Sequence, residues 1–163
     1  MLQLVPMTEP EFQAFRLATI VDYAQAHVKM GKWRPEEAIR LATREFNYLL
    51  PHGLATPNQH LFSLRDEALE TVVGRLWFAV QQEEGGEQVA YVCNVLIFGA
   101  FRRQGYGSQA MQALEEMVRT LGLSTITFHV FGHNHAARAM YEKLGYETTD
   151  VIMRKMLTSP VDV

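Results

Sequence analysis

The chain has 163 residues, 48% of them hydrophobic and 20% charged, and 18 acidic side chains against 15 basic ones leave a formal net charge of −3. Those values predict one domain over residues 1–163 with a core of its own, and they exclude a protein that holds nucleic acid or an anionic membrane by bulk positive charge. Cys93 is the lone cysteine, so an intrachain disulfide and a cysteine-based zinc cage are excluded and a cytoplasmic location is expected.

Leu2 to Val5 reads as a short strand leading into Thr8-Glu9-Pro10-Glu11, a capping box with Thr8 as N-cap and Glu11 answering it. The helix that follows runs to about Met30 and breaks at Gly31 and Lys32. Pro35 at a first helical position, with Glu36 and Glu37 behind it, starts a second helix. Its buried stripe is Ala38, Leu41, Ala42, Phe46, Leu49 and Leu50. After Pro51-His52-Gly53 the pattern turns to strands at His60 to Arg65, Thr71 to Gln81 and Gln88 to Phe98, joined by short polar turns as an antiparallel meander. The longest nearly apolar run, Tyr91 to Phe101, is far shorter than the ~20 residues of a membrane-spanning helix and reads as a buried strand. Met1 to Thr8 carries no basic region followed by an apolar core, so no signal peptide is expected.

From Gly105 to Gly122 the period is helical again, with Ala110, Leu114, Met117, Val118 and Leu121 on one face. Ser124 to Val130 is a further strand. Asn134 caps a short helix with Ala137, Met140, Tyr141 and Leu144 inward and Gly145 closing it, and Val151 to Met156 is a last strand. This order predicts an α+β domain, a mixed and mostly antiparallel sheet with helices on both faces. Only the strand–helix–strand piece from Tyr91 to Val130 can make a parallel pair, and its helix starts at a glycine turn.

That turn is Phe101-Arg102-Arg103-Gln104-Gly105-Tyr106-Gly107-Ser108. Free backbone amides and a helix dipole meet there, two glycines let a phosphate approach the chain, and an arginine pair adds charge, a combination suited to a diphosphate. The dinucleotide fingerprint is incomplete, because Ala110 stands where its third glycine belongs, and the Gly-Lys-Ser/Thr of the Walker loop is absent. A plain strand-to-helix turn is the alternative.

Arg102-x-x-Gly105-x-Gly107 after an apolar strand, followed by Asn134, Ala137, Tyr141, Leu144, Gly145 and Tyr146, resembles the GNAT superfamily of N-acetyltransferases. The first part is similar to that family's pyrophosphate motif and the second to its closing helix. Together they cover roughly Gln88 to Tyr146. The resemblance implies a fold with a splayed parallel strand pair as the cofactor cleft and acetyl-coenzyme A as co-substrate. It assigns the backbone of Val95, Leu96 and Ile97 to the pantetheine and the segment Arg102, Arg103, Gln104, Gly105, Tyr106, Gly107 and Ser108 to the pyrophosphate. Asn134 is assigned to the pantetheine arm, and Tyr141 to the thioester sulfur as the catalytic acid.

Acyl transfer to nitrogen asks for a neutral amine, donors at the carbonyl oxygen and a proton for the thiolate, and a tyrosine hydroxyl can supply the last. The expected activity is acetyl transfer to a primary amine, on a small molecule or a peptide, by direct attack in a ternary complex; a non-catalytic acyl-coenzyme A sensor is the alternative. Tyr91 and Asn94 occupy the two positions where the family often carries an acidic base, and Gly99 stands where it often has proline. The proton acceptor is therefore open among Asp22, Glu45, His60, Asp66, Glu67 and water. His129, His133 and His135 read as polar residues beside the cleft, with no metal expected. The joint from Met30 to Pro35, with Tyr23 and Trp33, is expected to set the acceptor. No nucleic-acid or membrane partner is expected, and homodimerisation through strand edges is left open.

Overall fold

The computed structural model describes residues 1–158. Thr8 opens helix α1 (Glu9–Lys29) by the reciprocal pairing read from the sequence: its hydroxyl accepts from the Glu11 amide, and its own amide donates to the Glu11 carboxylate at 2.8 Å. Helix α2 (Pro35–Leu49) starts with Pro35 in its first turn. Ala38, Ala42, Phe46 and Leu50 of the predicted stripe are buried, whereas Leu49 faces solvent.

The sheet runs in chain order as β1 (Leu2–Pro6), β2 (Gln59–Asp66), β3 (Thr71–Gln82), β4 (Gln88–Ile97) and β5 (Ile126–Thr127). The first four strands are antiparallel, and β4 and β5 are parallel. Helix α3 (Tyr106–Thr120) is the crossover between those last two, and α4 (His135–Lys143) follows β5. The described chain divides into a compact unit from Met1 to His129 and a second one from Val130 on.

Helices α1 and α2 bury Phe12, Phe15, Ile20, Ala24, Ala42 and Phe46 with Leu61 and Trp77 of the sheet. Phe15 is the hub, with ring centroids 5.8 Å from Phe46 and 5.9 Å from Trp77. Side chains alternate across a strand, so Phe62, Leu64, Leu76 and Phe78 point to the other face. Helix α3, which touches β1 and β4, buries Tyr106, Ala110, Met111, Leu114 and Val118. Leu121, expected in that stripe, is exposed.

Two features shape the open end of the sheet. On β4, Trp77 of the neighbouring strand lies opposite Asn94 and Phe78 opposite Val92, so Cys93 is an extra residue that makes a β-bulge. Beyond that the parallel pairing is short: Ala90 faces Ile126 and Tyr91 faces Thr127, and there β5 ends. The strand expected over Ser124 to Val130 thus narrows to Ile126–Thr127, because β4 bends away and leaves the rest without a ladder. The last strand expected over Val151 to Met156 is absent: no described strand pairs with it, and its side chains are exposed. Alternation without a partner makes no strand. No described helix is long and apolar enough to cross a membrane.

Candidate active site

Within the first unit, the C-terminal half of β4 and the loop after it form an open edge. The Phe98 amide donates to the Val73 carbonyl at 2.8 Å. By alternation Leu96 also turns its backbone groups toward β3, while Val95 and Ile97 turn theirs to the side vacated by β5. The Ile97 carbonyl accepts from Arg102 Nε at 3.1 Å. This bond ties the start of the glycine turn to the end of the strand.

The turn itself has the geometry of an anion cradle. Arg103 and Gly105 both have positive φ, 63° and 80°, and Gly105 is the N-cap of α3. A Cβ at Gly105 would meet no atom within 4 Å. Glycine is thus required there by backbone conformation, and the space above it is free for a ligand. Among the described residues, the amides from Arg103 to Ser108 donate to no backbone or side-chain acceptor of the protein. Consecutive unpaired amides at the positive end of α3 are what a pyrophosphate needs. Gln104 uses its side chain to bond the Ala100 carbonyl at 3.3 Å and so braces the loop.

Tyr106 is different from its neighbours. Its side chain is buried, and its hydroxyl donates to Asp66 Oδ2 at 2.7 Å, pinning the start of α3 to the end of β2. That bond raises the Tyr106 pKa, while the Leu69 amide, ahead of the Tyr106 hydroxyl, lowers that of Asp66. Only the Tyr106 amide is available to a ligand.

Other candidates from the sequence are spread over this unit. Glu45 accepts from the Tyr23 hydroxyl at 2.6 Å, and burial, ahead of this bond, pushes the Tyr23 pKa up to about 12. Tyr23 stands edge-on to Trp33 with centroids 5.6 Å apart, and His27 stacks on Trp33 at 4.1 Å, so this cluster fixes the joint between α1 and α2. His60 stacks on Phe78 at 4.7 Å and burial lowers its pKa. Glu67 accepts from Gln3, and burial lowers the Arg75 pKa while the nearby Asp22 partly opposes it. None of these carboxylates lies on β4.

What the sequence reading missed is on the splay. The Tyr91 hydroxyl and His129 Nδ1 are 2.8 Å apart. Position 129 stood out only as one of three nearby histidines; the pairing joins residues 38 apart in sequence, which a pattern search along the chain does not connect. Among the described residues no three His, Cys, Asp or Glu side chains gather closely enough to hold a metal.

In the second unit, Asn134 caps α4 with its side-chain oxygen on the Ala137 amide at 3.4 Å. Tyr141 is half-buried, stands edge-on to Tyr146 at 6.0 Å, and has its pKa raised by burial. Its hydroxyl therefore stays protonated at neutral pH.

A model of the acetyltransferase (GNAT) family matches residues 22–146. The uncharacterized N-acetyltransferase YycN of Bacillus subtilis (strain 168) is 38% identical over 156 residues, 96% of this chain and 99% of its own. Its crystal structure is similar with a TM-score of 0.86, covering 98% of this chain and 100% of the other. The uncharacterized N-acetyltransferase YdgE of the same organism is 31% identical over 154 residues, 94% of this chain and 97% of its own. The structure of AAC(6')-Iy, solved with the bisubstrate analog CoA-S-monomethyl-acetylneamine, has a TM-score of 0.62 at 13% identity over 98% of this chain and 99% of its own; that likeness is one of fold.

Proposed function

The chain belongs to the acetyltransferase (GNAT) family, and from that premise we propose that it moves the acetyl group of acetyl-coenzyme A to a primary amine by direct attack in a ternary complex. The observation that carries this reading is the run of unpaired amides from Arg103 to Ser108 at the start of α3, next to the open edge of β4. An anion of pyrophosphate shape satisfies those donors together, and Arg102 and Arg103 add charge to the same place. The backbone of Val95 and the amide of Ile97 face the pantetheine arm, in the manner of an added strand, while the Ile97 carbonyl is held by Arg102. Bound acetyl-coenzyme A supplies an acetyl thioester, and the protein's work is to orient it and to manage two protons.

Tyr141 is assigned to the departing sulfur. A phenol whose pKa is raised by burial is a proton donor at neutral pH and a poor base, as this role requires. Asn134 spends its oxygen on capping α4, and its side-chain amide N–H groups are left to contact the pantetheine. The reading also carries one catalytic domain over residues 1–163 and a cytoplasmic location.

Titration calorimetry with acetyl-coenzyme A tests the cofactor assignment. The wild-type protein binds, and an Arg102→Ala, Gly107→Trp double variant does not. Tyr141→Phe keeps the cofactor affinity and lowers turnover, measured as thiol release with a panel of primary amines, by about 10²-fold. Binding that survives in the double variant would remove the cofactor from the turn, and unchanged turnover in Tyr141→Phe would remove the general acid.

A further inference from the structure

Two side chains on the splayed strands are not used by this mechanism, and their placement answers what it lacks, a destination for the proton of the incoming ammonium. Tyr91 is the last residue of β4 that pairs with β5, opposite Thr127. His129 is two residues beyond Thr127, just past the end of β5. The Tyr91 hydroxyl and His129 Nδ1 meet at 2.8 Å with the rings edge-on, centroids 6.1 Å apart and planes at 70°. The bond therefore spans the two strands just where their own ladder stops. The register Ala79 to Tyr91 and Trp77 to Asn94 puts Tyr91 on the face of the sheet that carries Trp77, against which α1 and α2 pack.

We propose that His129 is the proton acceptor for the amine substrate and that the Tyr91 hydroxyl relays the proton to it; this rests on the acetyl-transfer reading above. Burial, ahead of the nearby Cys93, raises the Tyr91 pKa, so this phenol is not a phenolate at neutral pH and passes a proton on only by giving up its own. Tyr91 is half-buried and His129 is exposed, so the relay runs from the sheet outward to water. The other titratable group beside Tyr91 on its strand is Cys93, whose pKa burial pushes up to about 12, which keeps it a neutral thiol. Among the described residues no carboxylate comes within 4.0 Å of His129 as an ion-pair partner.

The step balances. One ammonium proton moves to the Tyr91 oxygen as the Tyr91 proton moves to His129 Nδ1, and the imidazolium discharges to solvent. The freed nitrogen lone pair forms the N–C bond at the thioester carbonyl carbon. The C–S bond breaks with its electron pair on sulfur, and sulfur receives the second nitrogen proton by way of the Tyr141 hydroxyl. The products are an amide, a thiol and one proton in water.

The test uses the full-length protein, acetyl-coenzyme A, the amine from the panel that gives the fastest thiol release, and a fluorinated, less basic analogue of that amine. His129→Gln and Tyr91→Phe each lower kcat/KM for the basic amine at pH 7 by about 10²-fold and flatten the acidic rise of its pH profile. The loss is much smaller for the analogue, which is already neutral, and the affinity for acetyl-coenzyme A in calorimetry stays at the wild-type value. A purely structural role for the pair predicts equal losses with both amines, and that result overturns the proposal, as does wild-type kcat/KM in both variants. Should His129→Gln fail to fold, Tyr91→Phe, which removes one oxygen, carries the test alone. A wild-type protein that binds the cofactor but releases no thiol to any amine refutes acetyl transfer and this proposal with it, whereas turnover that survives both substitutions refutes only the relay.

Discussion

Gly74 offers a substitution whose cost is read directly from the structure. It lies in β3 opposite Ile97, in the stretch where β4 presents Val95 and Ile97 to the splay. A Cβ at this position would stand 2.3 Å from the Leu96 carbonyl oxygen, 3.1 Å from Leu64 Cδ1 and 3.2 Å from Ile97 Cα. Real Cβ contacts do not close below 3.0 Å, so about 0.7 Å must be found, and the nearest obstacle is backbone rather than a side chain that can rotate away. Gly74→Ala therefore costs about 2 kcal/mol. With a urea dependence of about 2 kcal/mol per molar, the unfolding midpoint falls by about 1 M. The strand that must retreat is also the proposed cofactor edge, so acetyl-coenzyme A affinity falls in the same variant. Urea unfolding followed by the fluorescence of Trp33 and Trp77, beside calorimetry on the folded variant, measures both. A midpoint within about 0.2 M of wild type would refute the claim that β3 and β4 approach this closely at Gly74.

Two further predictions concern protonation. The Asp66 pKa is held below its ordinary value, first by the Leu69 amide and then by the Tyr106 hydroxyl; such a group adds stability that is fully present above its unfolded pKa and drains away as pH falls through the folded one. Tyr106→Phe therefore has a lower urea midpoint than wild type at pH 7, and the gap narrows on acidification below pH 4; a gap that widens there overturns the assignment. Burial pushes the Cys93 thiol up to about 12, so iodoacetamide at pH 8 leaves the folded protein unmodified and alkylates it in denaturant, as intact mass shows; rapid alkylation of the folded protein would contradict that burial.

The parts of the fold that were legible in the sequence are those whose signals are local. The capping box at Thr8, Pro35 at the start of α2 and the glycine turn before α3 each depend on residues within a few positions of one another, and each falls where it was read. The apolar stripes were legible to within their ends: Leu49 and Leu121 have the right spacing, but the helix turns them past the edge of the surface it packs on. Strand ends were less legible, because a strand is defined by its partner. Ser124 to Val130 and Val151 to Met156 have suitable side chains, yet pairing covers only Ile126–Thr127 of the first and none of the second.

The same reasoning separates the two halves of the candidate site. The proposed phosphate cradle is a run of consecutive residues, and its chemistry is that of the backbone, so a short motif with glycines at fixed offsets announces it. A proton acceptor is under no such constraint. An acidic residue on β4 would have announced itself by position; at Tyr91 the side chain cannot accept a proton unless another group takes one from it. That second group, His129, comes from the segment just after β5, where the short ladder has ended opposite Tyr91. Had β5 stayed paired along β4, the ladder would have continued past Tyr91 and left no opening at that point for a substrate. The splay and the proposed relay are in this sense one feature: the divergence that turns the backbone of Val95 to the open side also leaves His129 beside Tyr91 at its edge.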